Sequence, residues 1–148
     1  MKLLITIFLI CSTIISNAQV SEWIIVSITY STQQTVEVLR KVIQQKGFKI
    51  FNTIDHAQGA ESVGLTLRPT MLIIFGNPKG GSPLMNCDQR MRIILPMKIL
   101  IWEDESKVKA GFINPEKYAR EFDFEKCKEI LPKMATALKE ILAGVEKK

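Results

Sequence analysis

The chain carries a single histidine, His56, among its 148 residues. That excludes any site needing two histidines from one chain. Its three cysteines, Cys11, Cys87 and Cys127, form no Cys-x-x-Cys pair, so neither a thioredoxin-like redox motif nor a zinc knuckle is encoded. No Lys-Ser/Thr pair follows a glycine loop at the spacing of a nucleotide-binding Walker loop. Internal repeats and linker-like stretches are missing, and no apolar run reaches the roughly 20 residues that cross a bilayer. What is present, 47% hydrophobic and 24% charged residues, is ordinary globular composition and rules out whole-chain disorder. The length fits one domain, because two halves would each be marginal in core size.

The N-terminus reads as a targeting segment. Met1-Lys2 is a short basic start, Leu3 to Ile15 is apolar apart from Cys11, Ser12 and Thr13, and Ser16-Asn17-Ala18 places small residues where a signal peptidase reads them. This three-part pattern predicts a signal peptide over 1–18, cleavage between Ala18 and Gln19, and a mature domain over 19–148. A membrane anchor would need a longer run. A lipidated Cys11 would need smaller neighbours than Leu9 and Ile10. The expected location is therefore periplasmic or secreted, with no stable membrane insertion after cleavage.

The formal charge of +5 raises the question of nucleic acid. Its basic residues are interspersed with acids, which describes a solvated mixed-charge surface, and no nucleic-acid partner is expected. In an oxidising compartment Cys87 and Cys127 can pair. Cys127 also falls on an apolar helical stripe, where cysteine behaves as a small hydrophobe. Both readings stay open.

Along the mature chain, Trp23 to Tyr30 reads as a strand with Ile24, Val26, Ile28 and Tyr30 on one face. Ser31 and Thr32 offer capping hydroxyls to a helix whose stripe is Val36, Leu39, Val42 and Ile43, ended at Gly47. Phe48 to Ile54 alternates as a second strand, with Phe48, Ile50, Asn52 and Ile54 on one side and Lys49, Phe51 and Thr53 on the other. Ala57 to Val63 suits a short helix capped by Asp55 or His56. Met71 to Phe75 is apolar on both faces and reads as a central strand. Gly76 to Pro83 is the densest turn cluster and reads as a loop, with a helical turn over Leu84 to Gln89. Arg92 to Glu103 reads as a long strand that Pro96 marks as an edge or a bulge. A turn and a return strand, Val108 to Phe112, follow. Asn114-Pro115 opens a short helix. Asp123 caps the last, whose stripe is Phe124, Cys127, Leu131, Met134, Leu138, Ile141 and Val145, with a kink at Pro132 and an end at Gly144. Consecutive strands late in the chain exclude a doubly wound sheet. They predict an α+β two-layer sandwich, mostly antiparallel, with the first and last helices on one face.

Gly47-Phe48, Asp55-His56-Ala57, Ala60, Leu67 with Pro69-Thr70, and above all Phe75-Gly76-Asn77-Pro78 resemble the family of domain of unknown function 302. Leu84-Met85, Leu95-Pro96-Met97-Lys98 and Glu103-Asp104 follow its pattern in order. The resemblance spans about Thr35 to Pro115. It implies a compact α+β domain, commonly self-associating, with no established activity and so no catalytic residues to carry over. Ile94 departs from the pattern, which favours an acid before its Leu-Pro; any role of that acid is absent here.

The residues that invite a functional reading are few. Glycines 76, 80 and 81 let backbone amides approach a ligand, and Lys79 adds a cation, so the loop with Asn77 could hold a small anionic or carboxylate ligand. The alternative is a turn that only fixes the chain path. Arg68 could meet the same anion or pair with Glu61. Met85, with Met71, Met91 and Met97, reads as core or groove filler. His56 and Cys87 could form a thiol-imidazole pair for a hydrolase, but no third orienting group is identifiable. A metal site from His56, Met85, Cys87 or Asp88 lacks any repeated ligand spacing. The expectation is a non-enzymatic exported domain without cofactor or metal. It would bind a ligand or partner through Gly76 to Pro83, lined also by His56, Arg68 and Met85. The alternative is a homodimeric interaction module whose Pro96-broken strand pairs at an edge.

Overall fold

The computed structural model describes residues 22–122, 127 and 129–146. The expected signal segment with Cys11 and the Ala18–Gln19 junction, and Asp123 and Phe124, expected at the start of the last helix, lie outside the described residues. Strand β1 is Trp23–Ile28. Ser31 then opens α1, Thr32–Gln45, as a full capping box: its side chain accepts from the Gln34 backbone N–H, and the Gln34 side chain accepts from the Ser31 backbone. Gly47 ends the helix at φ +78°, the left-handed region glycine enters without strain. Next come β2, Lys49–Asp55, and α2, His56–Glu61, with Asp55 as the cap, accepting from Gln58 N at 2.9 Å.

Strand β3, Thr70–Gly76, leads into α3, Pro78–Cys87. Here the structure corrects the expected loop: Gly80, Gly81 and Pro83 sit inside a helix. Asn77 caps it and Pro78 takes the first-turn place where a missing N–H costs nothing. A 3-10 turn over Gln89–Ile93 follows, and only then β4, Met97–Asp104. The long strand expected from Arg92 is thus shorter, because Pro96 lies ahead of β4. Strand β5 is Lys107–Ile113, a 3-10 turn spans Pro115–Arg120 behind the Asn114 cap, and α4 is Ile130–Glu146. Gly144 does not end α4. It lies within it, where an added Cβ would sit 3.0 Å from Val42 Cγ1, so it lets α4 approach α1 closely.

The sheet has the order β1-β5-β4-β3-β2, and every neighbouring pair is antiparallel. The expected α+β two-layer architecture is present, with α1 and α4 on one face. Strand β4 lies inside the sheet, between β5 and β3, so it cannot be the edge that pairs with a second copy; the edges are β1 and β2. The core unites Val36, Leu39 and Ile43 of α1 with Leu138, Ile141 and Val145 of α4. Both helices cover Ile73, Phe75, Ile99, Ile101 and Phe112 of the sheet. The opposite face carries an apolar row across all five strands, Ile25–Gly111–Leu100–Leu72–Ile54, each paired with the next. Ile25 is exposed, at 48%.

One irregularity shapes the functional end. The β2–β3 register jumps between Ile50 and Asn52, which makes Phe51 a bulge. Beyond it the parity of β2 is inverted relative to the simple alternation. Thr53, paired with Ile73, turns to the helix side, where Arg40 Nη1 donates to its hydroxyl at 2.8 Å.

Candidate functional site

Register places the start of β2, the end of β3 and the start of β4 together, since Lys49 pairs with Gly76 and Phe75 with Met97. At this end α3 leaves the sheet and α4 begins its first turns. A cleft of about 530 Å3 opens between them. One wall is α3 and its cap, Asn77 to Met85. The second is Ile130, Lys133, Met134 and Ala137 of α4. The floor is Phe48, Phe51, Gly76, Leu95, Pro96 and Met97, and Arg92 completes the rim. Phe48 meets Phe75 edge to face, with ring centroids 5.8 Å apart, which ties the floor to the core.

The glycines of this segment make room. An added Cβ at Gly76 would stand 3.2 Å from the Phe51 ring and 3.6 Å from Pro96. At Gly81 it would reach only the Leu95 side chain at 3.8 Å, and at Gly80 nothing within 4 Å. These last two therefore keep the α3 wall thin where it borders the cleft.

Of the residues singled out in the sequence, Gly76, Asn77, Gly80, Gly81 and Met85 do line this cleft. The expected amide cradle for an anion does not form. Asn77 Oδ1 accepts from Lys79 N at 3.0 Å, and Asn77 O accepts from Gly80 N and Gly81 N at 3.0 and 2.9 Å. With Pro78 lacking an N–H, the first-turn donors are used within the helix. The Lys79 side chain is exposed and lines none of the cleft.

His56 and Arg68 lie elsewhere. His56 is exposed on α2, which packs against β3. Arg68 Nη1 is 4.0 Å from Asp104 Oδ1, so its partner is Asp104 rather than Glu61 or a ligand beside Lys79. Lys109 also bonds Asp104, and it is this hydrogen bond and charge, more than Arg68, that hold the Asp104 carboxyl below its usual range. A second cavity, about 700 Å3, lies at this opposite end of the sheet, lined by Asp55, Glu61 and Glu103 with Leu65, Leu67 and Pro69. Its charged lining residues are all acidic, and His56 is not part of it.

Cys87 ends α3 and its sulfur is joined to that of Cys127, with Cα atoms 6.4 Å apart, inside the range a disulfide spans. A bonded sulfur is no nucleophile, so the thiol-imidazole pair is not assembled. No group of three or more His, Cys, Asp or Glu residues suited to a metal occurs among the described residues. Beneath the cleft, Leu84, Met91 and Leu131 form a small buried cluster that binds α3, the 3-10 turn and α4 together. Lys98 donates to Ile94 O at 3.0 Å and to Pro96 O at 2.8 Å; burial lowers its pKa.

Sequence reasoning missed Phe51, Arg92, Leu95, Lys133, Met134 and Ala137 as lining residues. Met134 carried a signal in the amphipathic stripe of α4. Phe51 carried none, because a bulge cannot be read from alternation.

These features define a two-layer α+β domain with an open apolar cleft at one end of its sheet. The family model described as "Domain of unknown function DUF302" matches residues 24–143, and the chain belongs to that family. The crystal structure of an uncharacterized conserved DUF302 protein from Bacillus stearothermophilus superposes with a TM-score of 0.79. It covers 85% of this chain and 99% of that one at 19% identity, a likeness of fold. Among curated proteins, the chain is 40% identical over 77 residues to fluoride-specific ion channel FluC 1 of Brucella suis and to FluC 1 of Brucella abortus. The match covers 52% of this chain but only 30% and 28% of those proteins, so the chain spans less than a third of their length. No helix among the described residues is long and apolar enough to cross a membrane.

Proposed function

We propose that this protein is a non-enzymatic binding domain that holds a small apolar molecule in the cleft between α3, the Phe51 bulge and α4. One observation carries the reading: a concavity of about 530 Å3 lined mainly by apolar side chains and glycine, with Asn77, Ser82, Arg92 and Lys133 the polar residues among them. That size is in the range of small-molecule sites. The match to channel proteins covers under a third of their length, so the reading rests on this chain's own cleft and not on their activity. Export of the domain belongs to the same proposal. A segment over 1–18 with signal-peptide character and a Cys87–Cys127 bond, which forms in oxidising compartments, both support it.

The test is calorimetric titration of the full chain with decanol, beside Gly81→Leu. Leucine is a better helix former than glycine by up to about 1 kcal/mol, and its side chain would enter the cleft beside Leu95. Measurable decanol binding that falls at least about tenfold in Gly81→Leu, with an unchanged or raised melting temperature, is the expected result. Decanol that binds both proteins equally would refute the site.

A second reading is favoured by a different observation. The apolar row Ile25–Gly111–Leu100–Leu72–Ile54 runs along the sheet face away from the helices, and Trp23 is exposed beside it. Five strands at about 4.8 Å and some seven residues at about 3.3 Å give roughly 500 Å2 in plan. That is of the order a standard interface takes from each partner. A homodimer through this face would replace the edge pairing that the interior position of β4 forbids.

A further inference from the structure

The lining of the cleft is not electrically neutral. Arg92 and Lys133 both border it, and no Asp or Glu is among the described residues that line it. Arg92 makes no ion pair among the described residues; Nη1 donates to Gln89 O at 3.1 Å and leaves the rest of the guanidinium uncommitted. Among the described residues Lys133 pairs with Glu129, which immediately precedes α4, at 3.3 Å, with both side chains largely exposed. Such a pair is worth little and is readily exchanged for another anion. Apolar ligands gain from burial wherever they sit, at about 25 cal/mol per Å2. Charge at the rim decides which head group may accompany the chain.

The first turn of α3 cannot serve that head group, because its amides are bonded to Asn77. The cations that can are on the 3-10 turn and on α4. We infer that the cleft takes a single-chain amphiphile with an anionic head, a fatty carboxylate or its phosphate counterpart. The chain lies against Phe51, Met85, Leu95 and Met134, and the head is held by Arg92 and Lys133. Arginine offers the carboxylate a two-pronged contact, and lysine supplies a point charge. This rests on the cleft reading above, and it adds the class of ligand.

The experiment titrates the full chain with decanoate, decanol and decyltrimethylammonium, each below its aggregation concentration, at low and high salt. A phosphate head, decyl phosphate, is run beside decanoate to separate the two sources. The expected result is that either anion binds at least about tenfold more tightly than decanol, that the ammonium compound binds most weakly, and that salt narrows the difference. In the double variant Arg92→Gln, Lys133→Gln, both residues exposed, the anion preference should vanish while decanol binding persists. Equal binding of decanoate and decanol to the native chain would overturn the head-group assignment and leave the cleft intact. Tighter binding of the ammonium compound would also overturn it. Failure of all the ligands, or equal binding of each to Gly81→Leu, would overturn the cleft reading itself.

Discussion

At the scale of single residues, the positions without side chains are the most constrained. Gly111 sits in β5 where an added Cβ would lie 2.7 Å from the backbone oxygen of Ile24 and 3.1 Å from Ile25 Cγ1. A backbone atom of a paired strand cannot rotate away, so Gly111→Ala must part β1 from β5. We expect a loss of about 1–3 kcal/mol, read as a lower denaturant midpoint; an unchanged midpoint would mean β1 is not held as described. Gly80 and Gly81 are the opposite case. Their missing side chains leave space in the cleft, so filling it should alter binding and spare stability. Asn114 is 3% exposed, and its Oδ1 accepts from Glu116 N at 3.2 Å. Its pairing with Pro115 was readable in the sequence, since Asn-Pro is a helix start with a mechanism.

At the scale of elements, the legible parts were those with a local cause. The Ser31 cap, the Asp55 cap and the Gly47 terminus each act through the nearest few residues; Gly47 stands where the sequence placed it, and the structure selects Ser31 over Thr32 and Asp55 over His56 as the caps. The Gly76–Pro83 segment misled because three glycines and two prolines are punctuation in isolation. Leu84 and Leu131, buried in one cluster, instead provide tertiary contacts that hold α3 helical. The disulfide belongs to this scale too. It joins the end of α3 to the chain just ahead of α4, the two elements that wall the cleft. Its closed loop of 40 residues corresponds to at most about 4 kcal/mol in the chain-entropy model. Intact mass under non-reducing conditions should be lower by two hydrogens than after reduction. Cys87→Ser with Cys127→Ser should melt earlier than the native chain. Equal melting would assign the pair no stabilising role.

For the whole molecule, fold class was legible because the succession of elements follows from patterning: runs of consecutive strands favour antiparallel neighbours. Which strand lay at the edge was not, since Pro96 gives one signal for an edge strand and for a residue just ahead of a central one. The cleft was half legible. Its glycines and Met85 stood out, while Arg92 and Lys133 look like ordinary surface charge until α3 and α4 are brought together. The sheet face away from the helices bears on assembly. If two copies meet there, Leu100→Lys should convert a dimer into a monomer in light scattering without unfolding it. A native chain that stays monomeric at high concentration would dismiss that interface and leave the ligand reading untouched.

The most direct test of the cleft is an amide-resolved NMR titration of the native chain with decanoate. Shifts gathered at Gly76, Gly80, Gly81, Met85 and Ala137, and absent from Ser31, Gln58, Glu61 and Thr66 at the opposite end, are the expected result. Shifts gathered at that acidic end, or none at all, would contradict it.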